Sequence, residues 1–281
     1  YVYCKYRACS MYDLKYPPKN YETNIQRRKV MNYPNRFTGK VAVVTGGAKG
    51  IGLAIAQRFV AEGGKIVIGD VCTDPYPAIT EELGADNVVC QYCDVSVKED
   101  VDALVAKAYE AFGGFDVMFN NAGINIFKDF LDFTIEDSDK IFNTNFHGVF
   151  FGSQAAAKAF IAHDTKGVIV NTSSINFRCV TPNTTCYAAS KGAISMFTRG
   201  IAVELSKYGI RANCFAPGTT NTDMVGESAR ERFPHYTAKR LVIPRMAKPE
   251  EQAAVACFLA SDDASYMSGE TIFNVGVWGI F

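Results

Sequence analysis

Tyr187 and Lys191 stand four residues apart in Tyr-Ala-Ala-Ser-Lys, and on a helix that spacing puts both side chains on one face. Hydride transfer to a carbonyl leaves an alkoxide that needs a proton, and the reverse reaction needs a base. A free phenol, with a pKa of about 10, is a poor base at neutral pH. Bringing it to about 7 takes roughly 4 kcal/mol, and an ammonium at ~4 Å supplies about that much at an effective dielectric of about 20. The pair therefore reads as an acid/base whose phenol is lowered by Lys191. Ser174 lies 13 residues before Tyr187, at the end of an apolar run, with Ser173 as the neighbour most easily confused with it.

A second constellation lies near the start of the patterned chain, in Thr45-Gly46-Gly47-Ala48-Lys49-Gly50-Ile51-Gly52. Glycines 46, 50 and 52 permit a tight turn and let the backbone approach a pyrophosphate. The helix beyond, opening near Ile51, presents free N–H groups and a positive dipole end. Asp70 follows 18 residues after Gly52. A carboxylate there accepts both adenosine ribose hydroxyls and repels a 2′-phosphate. Lys49 pulls the other way, because a cation in the turn suits a 2′-phosphate. Asp70 lies where the ribose should be, so NAD is expected over NADP.

These residues need rigid elements to hold them, and the apolar pattern supplies them. Short apolar runs at Val41–Thr45, Lys65–Asp70, Asn87–Tyr92, Asp116–Asn120, Val168–Asn171, Arg211–Phe215 and Thr271–Asn274 read as strands. Helical patterns intervene at Ile51–Glu62, Val101–Phe112, Ser138–Ala162, Tyr187–Ser206 and Glu250–Ala260. Apolar strands alternating with helices predict a doubly wound, mostly parallel α/β sheet of the dinucleotide-binding type, in one domain over residues 37–281. Residues 1–36 lack that periodicity, hold seven of the fourteen tyrosines and carry a basic run at Arg27–Lys29, so they read as a separate N-terminal extension.

Taken together, the motifs resemble the short-chain dehydrogenase/reductase family, in the branch with T-G-x-x-x-G-x-G at the first turn. Asn120-Asn121-Ala122-Gly123 matches its N-N-A-G after the fourth strand, and Asp94-Val95 the acidic pair after the third, which in the family holds the adenine. Pro217-Gly218 with Thr222, and Thr220 between them, matches the turn that caps the nicotinamide side. The resemblance covers about residues 37–281. It implies that Ser174 holds the substrate oxygen as a hydroxyl donor, that Lys191 also binds the nicotinamide ribose, and that Asn145 holds a water of the proton relay. It further implies an NAD-dependent alcohol dehydrogenase or ketone reductase for a polyol, cyclic alcohol or hydroxysteroid. Phe127, Phe177 and Met224 are pocket candidates by position, and His235 falls in the substrate-covering segment. The C-terminal Asn274-Val275-Gly276-Val277-Trp278 departs from the family's D-G-G-W-like ending.

The bulk properties narrow the alternatives. The formal net charge is zero, composed of +6 over residues 1–39 and −6 over the remainder, which argues against capture of nucleic acid or an anionic membrane. Nine scattered cysteines and no long apolar run suggest reduced thiols and a cytoplasmic protein. Cys90 and Cys93, three apart on a strand-like segment, should face opposite ways. His147, His163 and His235 show no metal-ligand spacing. The helices carrying Asn145 and Tyr187 are apolar on more than one face, which predicts a homo-oligomer, and the family resemblance implies that these helices pair in a dimer of dimers. Two rival readings remain at this level: an NADPH-dependent carbonyl or acyl-thioester reductase, and a nucleotide-sensing or scaffolding protein that kept the fold without turnover.

Overall fold

The computed structural model describes residues 33–226, 230–231, 233 and 241–276. Seven parallel strands form one sheet: β1 (Val41–Thr45), β2 (Lys65–Asp70), β3 (Val88–Tyr92), β4 (Val117–Asn120), β5 (Val168–Thr172), β6 (Arg211–Pro217) and β7 (Thr271–Asn274). Their spatial order is β3-β2-β1-β4-β5-β6-β7. The chain thus winds outward from β1 in one direction, then returns and winds outward from β4 in the other. The strand order reverses between β1 and β4, and in open parallel sheets the crevice at that reversal, at the carboxyl ends of the strands, receives ligands.

The helices between strands are α1 (Gly50–Ala61), α2 (Tyr76–Leu83), α3 (Lys98–Phe112), α4 (Ile135–Phe142), α5 (Gly148–Ala162), α6 (Thr185–Leu205) and α7 (Pro249–Ala260). They cover both faces of the sheet. Alternate residues of each strand go to opposite cores: Ala42 and Val44 of β1 join Ile55, Phe59, Phe119 and Leu259 on one face. Val41 and Val43 join Leu104, Met118, Phe160 and Ile210 on the other. Double coverage is why the strands read as continuous apolar runs. Cys90 packs against the first core and Cys93 lies in the second, as their spacing on the chain requires.

The sequence pattern placed every strand to within two residues, but three helical features differ. Helix α2 was not anticipated. It is only eight residues long, has a proline in its first turn and buries Ile79 alone, so it carries almost no periodic signal. The helix expected from Ser138 begins at Ile135, where Thr134 and Asp137 form a reciprocal capping box. Between α4 and α5, residues Asn143–His147 widen into a π-helical turn, a local departure that recurs at functional sites. Sequence periodicity smooths over one inserted residue, so a single long helix was expected there.

At the amino-terminal edge of the sheet, Glu62 is fully buried and receives Arg36 Nε at 2.7 Å and Arg58 Nε at 2.9 Å. Phe37 stacks on Phe59 with ring centres 4.2 Å apart. These contacts make Tyr33–Arg36 part of the domain's packing, and the compact unit accordingly begins at Asn32. The rest of the expected extension lies outside the described residues. Among the described residues no helix is long and apolar enough to cross a membrane.

Candidate active site

The glycine turn between β1 and α1 is held by steric necessity. Gly46 has φ +65°, and a Cβ on it would come within 2.8 Å of Ala122 Cα. A Cβ on Gly52 would come within 2.1 Å of the Gly46 carbonyl oxygen. Only glycine lets the turn close this tightly against α1 and against the loop leaving β4. That loop is laced to the turn: Asn121 Nδ2 donates to the carbonyls of Thr45 and Gly46 at 3.2 and 3.1 Å. Thr45 Oγ1 in turn accepts from the backbone N–H groups of Asn121 and Ala122. Helix α1 has no side-chain cap and no acidic residue in its first turn. Its leading N–H groups and dipole end are thus unused by side chains, as a diphosphate site requires. Ile51 behind them packs against the first core.

Asp70 ends β2 beside this turn, its two carboxylate oxygens accepting from Ala48 N at 3.0 Å and Cys72 N at 2.9 Å. The carboxylate is therefore fixed at the lip of the crevice. Lys49 is exposed and forms an ion pair with Asp223 at 3.3 Å, so its charge is already shared. Asp94 uses its carboxylate to cap its own turn, accepting from Ser96 N and Ser96 Oγ, while Val95 is buried against the space left by Gly148. On the far side of the crevice, Gly218 N donates to Asn274 O, and a Cβ on Gly218 would lie 2.8 Å from Val275 Cα. Thr220 is buried and bonds back to the Gly218 carbonyl, which fixes the exit from Pro217. Thr222 reaches across to Gly50, its methyl 3.3 Å from where a Gly50 Cβ would be.

Two of the candidate catalytic side chains meet at Gly123. A Cβ there would be 3.2 Å from Asn145 Oδ1 and 3.3 Å from Lys191 Nζ. Lys191 is 3 % exposed, and its Nζ donates to the Thr172 carbonyl at 2.8 Å, 5.6 Å from the Tyr187 ring centre. Ser174, at the mouth of β5, hydrogen-bonds Tyr187 and accepts from Asn176 N at 3.1 Å. Ser173 points away from the cleft, as strand alternation demands: its hydroxyl donates to the Lys191 carbonyl at 2.8 Å and accepts from Ser195. Asn145, in the π-helical turn, accepts from Ile124 N at 2.8 Å and donates to Ile124 O and Ser190 Oγ at 3.0 Å each. Both ends of its amide thus pin the loop from β4 to α6.

Two features differ from the sequence expectation. Burial pushes the Tyr187 phenol up from its ordinary value, with only the Ser174 hydrogen bond pulling it down. Lys191 does not lower it as expected. Its Nζ lies 5.6 Å from the Tyr187 ring centre, and burial destabilises its own charged form, bringing its pKa down to about 8. The second concerns helpers that sequence spacing could not show. The Thr172 carbonyl, the Ile124 backbone and Ser190 orient Lys191 and Asn145, and backbone groups carry no residue-type signature. Of the pocket candidates, Phe177 is stacked on Phe273 at 5.4 Å, while Phe127 and Met224 are exposed. His235 lies outside the described residues.

With this geometry in place, known proteins are close in sequence and structure. The family model described as enoyl-(acyl carrier protein) reductase matches residues 46–276. The chain is 39% identical over 244 residues to 3beta-hydroxysteroid dehydrogenase 1 of Eggerthella lenta, covering 85% of this chain and 93% of that one. It is 37% identical over 246 residues to glucose 1-dehydrogenase 2 of Bacillus subtilis, covering 85% and 95%. A crystal structure from Brucella melitensis, described as a short-chain dehydrogenase/reductase of the glucose/ribitol dehydrogenase kind, superimposes with a TM-score of 0.82 at 32% identity over 89% of this chain and 99% of that one. The fold and site define a nicotinamide-type oxidoreductase. The chain belongs to the short-chain dehydrogenase/reductase family.

The depressed pKa of Lys191 has a consequence for stability. In the unfolded chain a lysine keeps its proton to about pH 10.4, whereas Lys191 in the folded protein releases it near about 8. Between those values the unfolded state binds more protons, so folding stability contributed at this site rises with pH. The melting temperature of the wild type minus that of Lys191→Met should therefore increase from pH 8 to pH 10. A flat or falling difference in calorimetric scans would remove the buried, destabilised ammonium from the account.

Proposed function

We propose that the protein is an NAD-dependent dehydrogenase that interconverts a secondary alcohol and a ketone, with Tyr187 as general acid/base. The observation that carries this reading is the meeting of Lys191 and Asn145 at Gly123, with the Tyr187 ring 5.6 Å from Lys191 Nζ, one loop away from the uncapped N-terminus of α1. When bound, the nicotinamide would exchange the hydride and, oxidised, carry the positive charge that favours a phenolate. Tyr187 would take the alcohol proton in one direction and return it to the alkoxide in the other. Ser174 would hold the substrate oxygen through its hydroxyl, Lys191 would bind the nicotinamide ribose, and Asn145 would hold the relay water against the Ile124 backbone. The diphosphate would lie over Gly46, Gly50, Ile51 and Gly52. Asp94 and Val95 would border the adenine, and Asn121, Ala122, Pro217, Gly218, Thr220 and Thr222 the nicotinamide half. The dehydrogenase names of the relatives support alcohol oxidation as the reaction class.

The NAD preference rests on Asp70, whose carboxylate is fixed by two backbone N–H groups at the crevice lip. A 2′-phosphate of NADP would meet that charge directly. Lys49, the residue that favours the NADP-dependent alternative, must first leave Asp223. The outer faces of α5 and α6 support assembly into a dimer of dimers, and the free cysteines support a cytoplasmic setting. Met196 and Val203 are 67% and 72% exposed, beside a cluster of Phe146, Phe150 and Phe197. Residues 1–36 are read as an extension to this unit, with its last four residues packed on α1.

Three measurements test this function. Tyr187→Phe should lose at least about 100-fold in turnover, the usual weight of acid/base catalysis, while NAD binding by fluorescence titration stays intact. Retention of a tenth of the wild-type rate would remove Tyr187 from the role. The wild type should favour NAD over NADP by at least about tenfold in kcat/KM, equivalent to about 1.4 kcal/mol, and Asp70→Ala should erode that ratio. A wild type faster with NADP at equal low concentrations reverses the weighting of Asp70 and Lys49. For the assembly, light scattering at micromolar concentration should give four times the chain mass, and a monomer would contradict it.

A further inference from the structure

The loops that leave β4, β5 and β6 emerge from adjacent strands and share the rim of the sheet on which Tyr187 and Ser174 stand. The first two touch directly, since Lys128 N donates to Asn183 O at 3.3 Å, four residues before Tyr187. Among the described residues of this rim, several polar side chains are turned to the protein itself. Lys128 pairs with Asp137, and Asp129 accepts from Leu131 N at 3.1 Å. Asn176 donates to Thr181 and Thr184 at 3.3 and 3.2 Å. The Arg178 guanidinium lies over the Phe273 ring at 5.5 Å, and Asp223 holds Lys49. The apolar side chains are left outward: Phe127 is 56% exposed, Val180 61% and Met224 45%, one from each loop.

A single exposed apolar residue on a surface needs no explanation. Three, one from each loop at the rim that carries Tyr187, with Lys128, Arg178 and Asp223 tied back, offer apolar surface of the kind that ligands use. Deepening the dehydrogenase reading on which this rests, we infer that the substrate is a bulky, rigid, apolar secondary alcohol, a fused-ring carbocycle. Its hydroxyl meets Tyr187 and its hydrocarbon body lies against Phe127, Val180 and Met224. An aldose or polyol carries a hydroxyl on nearly every carbon, and each one removed from water needs a partner. The rim's amides and hydroxyls in the β5 loop are already spent on one another. An acyl thioester bearing phosphates would need a free cation, and the cations of the β4 and β5 loops, Lys128 and Arg178, are engaged.

The test is initial-rate kinetics of the wild-type protein with NAD and NADP across two panels: fused-ring secondary alcohols such as decahydronaphthalen-2-ol and a 3-hydroxysteroid, and polyols and aldoses such as sorbitol and glucose. Fused-ring alcohols should show kcat/KM at least about tenfold higher, the discrimination that apolar pocket contacts supply. Phe127→Ser should lower that value by about tenfold through KM, with Met224→Ser as a second variant, and thermal melts and cofactor titration confirm that each is folded. A polyol or aldose turned over faster than every fused-ring alcohol overturns the inference, as does an unchanged ratio of the two panels in both serine variants. Turnover of neither panel by a folded, cofactor-binding protein overturns the dehydrogenase reading itself, which separates the two failures.

Discussion

The loop leaving β4 passes in close contact between the glycine turn and helix α6, and the site depends on that fit. On one side Ala122 lies so close to Gly46 that a Cβ there would be 2.8 Å from its Cα. On the other, Gly123 leaves about the width of one methyl group to Asn145 and Lys191. Protein interiors do not compress to absorb such overlaps, so the dinucleotide turn and the acid/base residues are held in one register by the same three residues. The strand reversal between β1 and β4 brings these loops together, and the hydrogen bonds of Asn121 to Thr45 and Gly46 lock the contact.

Burial sets the electrostatics of this junction more than pairing does. Lys191 is nearly inaccessible, donates to a backbone carbonyl and loses part of its preference for the charged state. Tyr187 is raised for the same reason. A phenol raised by its surroundings and an ammonium lowered by them are both drawn toward neutrality. A positive charge delivered next to them acts in a low-dielectric site and is felt strongly. The protonation of this buried pair thus responds to what is bound beside it. Ser173 and Ser195 contribute from behind by bonding to the Lys191 carbonyl, which fixes the height of that helical turn against β5.

The π-helical turn at Asn143–His147 serves the same junction. It carries Asn145 into the interior, where one amide group bonds both the N–H and the carbonyl of Ile124 and reaches Ser190 on α6. A regular helix would advance each residue by 100° and could not keep the faces of both α4 and α5 on the core while turning Asn145 to the loop. The extra residue resolves that conflict.

The sequence by itself determined the alternation of strands and helices, because strands covered on both faces must be apolar throughout and glycines must stand where backbones meet. It also determined that Tyr187 and Lys191 share a face, as any i, i+4 pair on a helix does. The separation of Cys90 from Cys93 followed from the period of a strand. What only the tertiary structure decided depends on distance through space. Short helix α2 and the π turn leave too little periodic signal to be read. Ser173 and Ser174 differ only by which way β5 faces, and Lys49 is engaged only because the loop after β6 brings Asp223 beside it. The sign of the Tyr187 shift was also beyond the sequence, because spacing along a helix fixes direction but not depth, and desolvation depends on everything packed around the group.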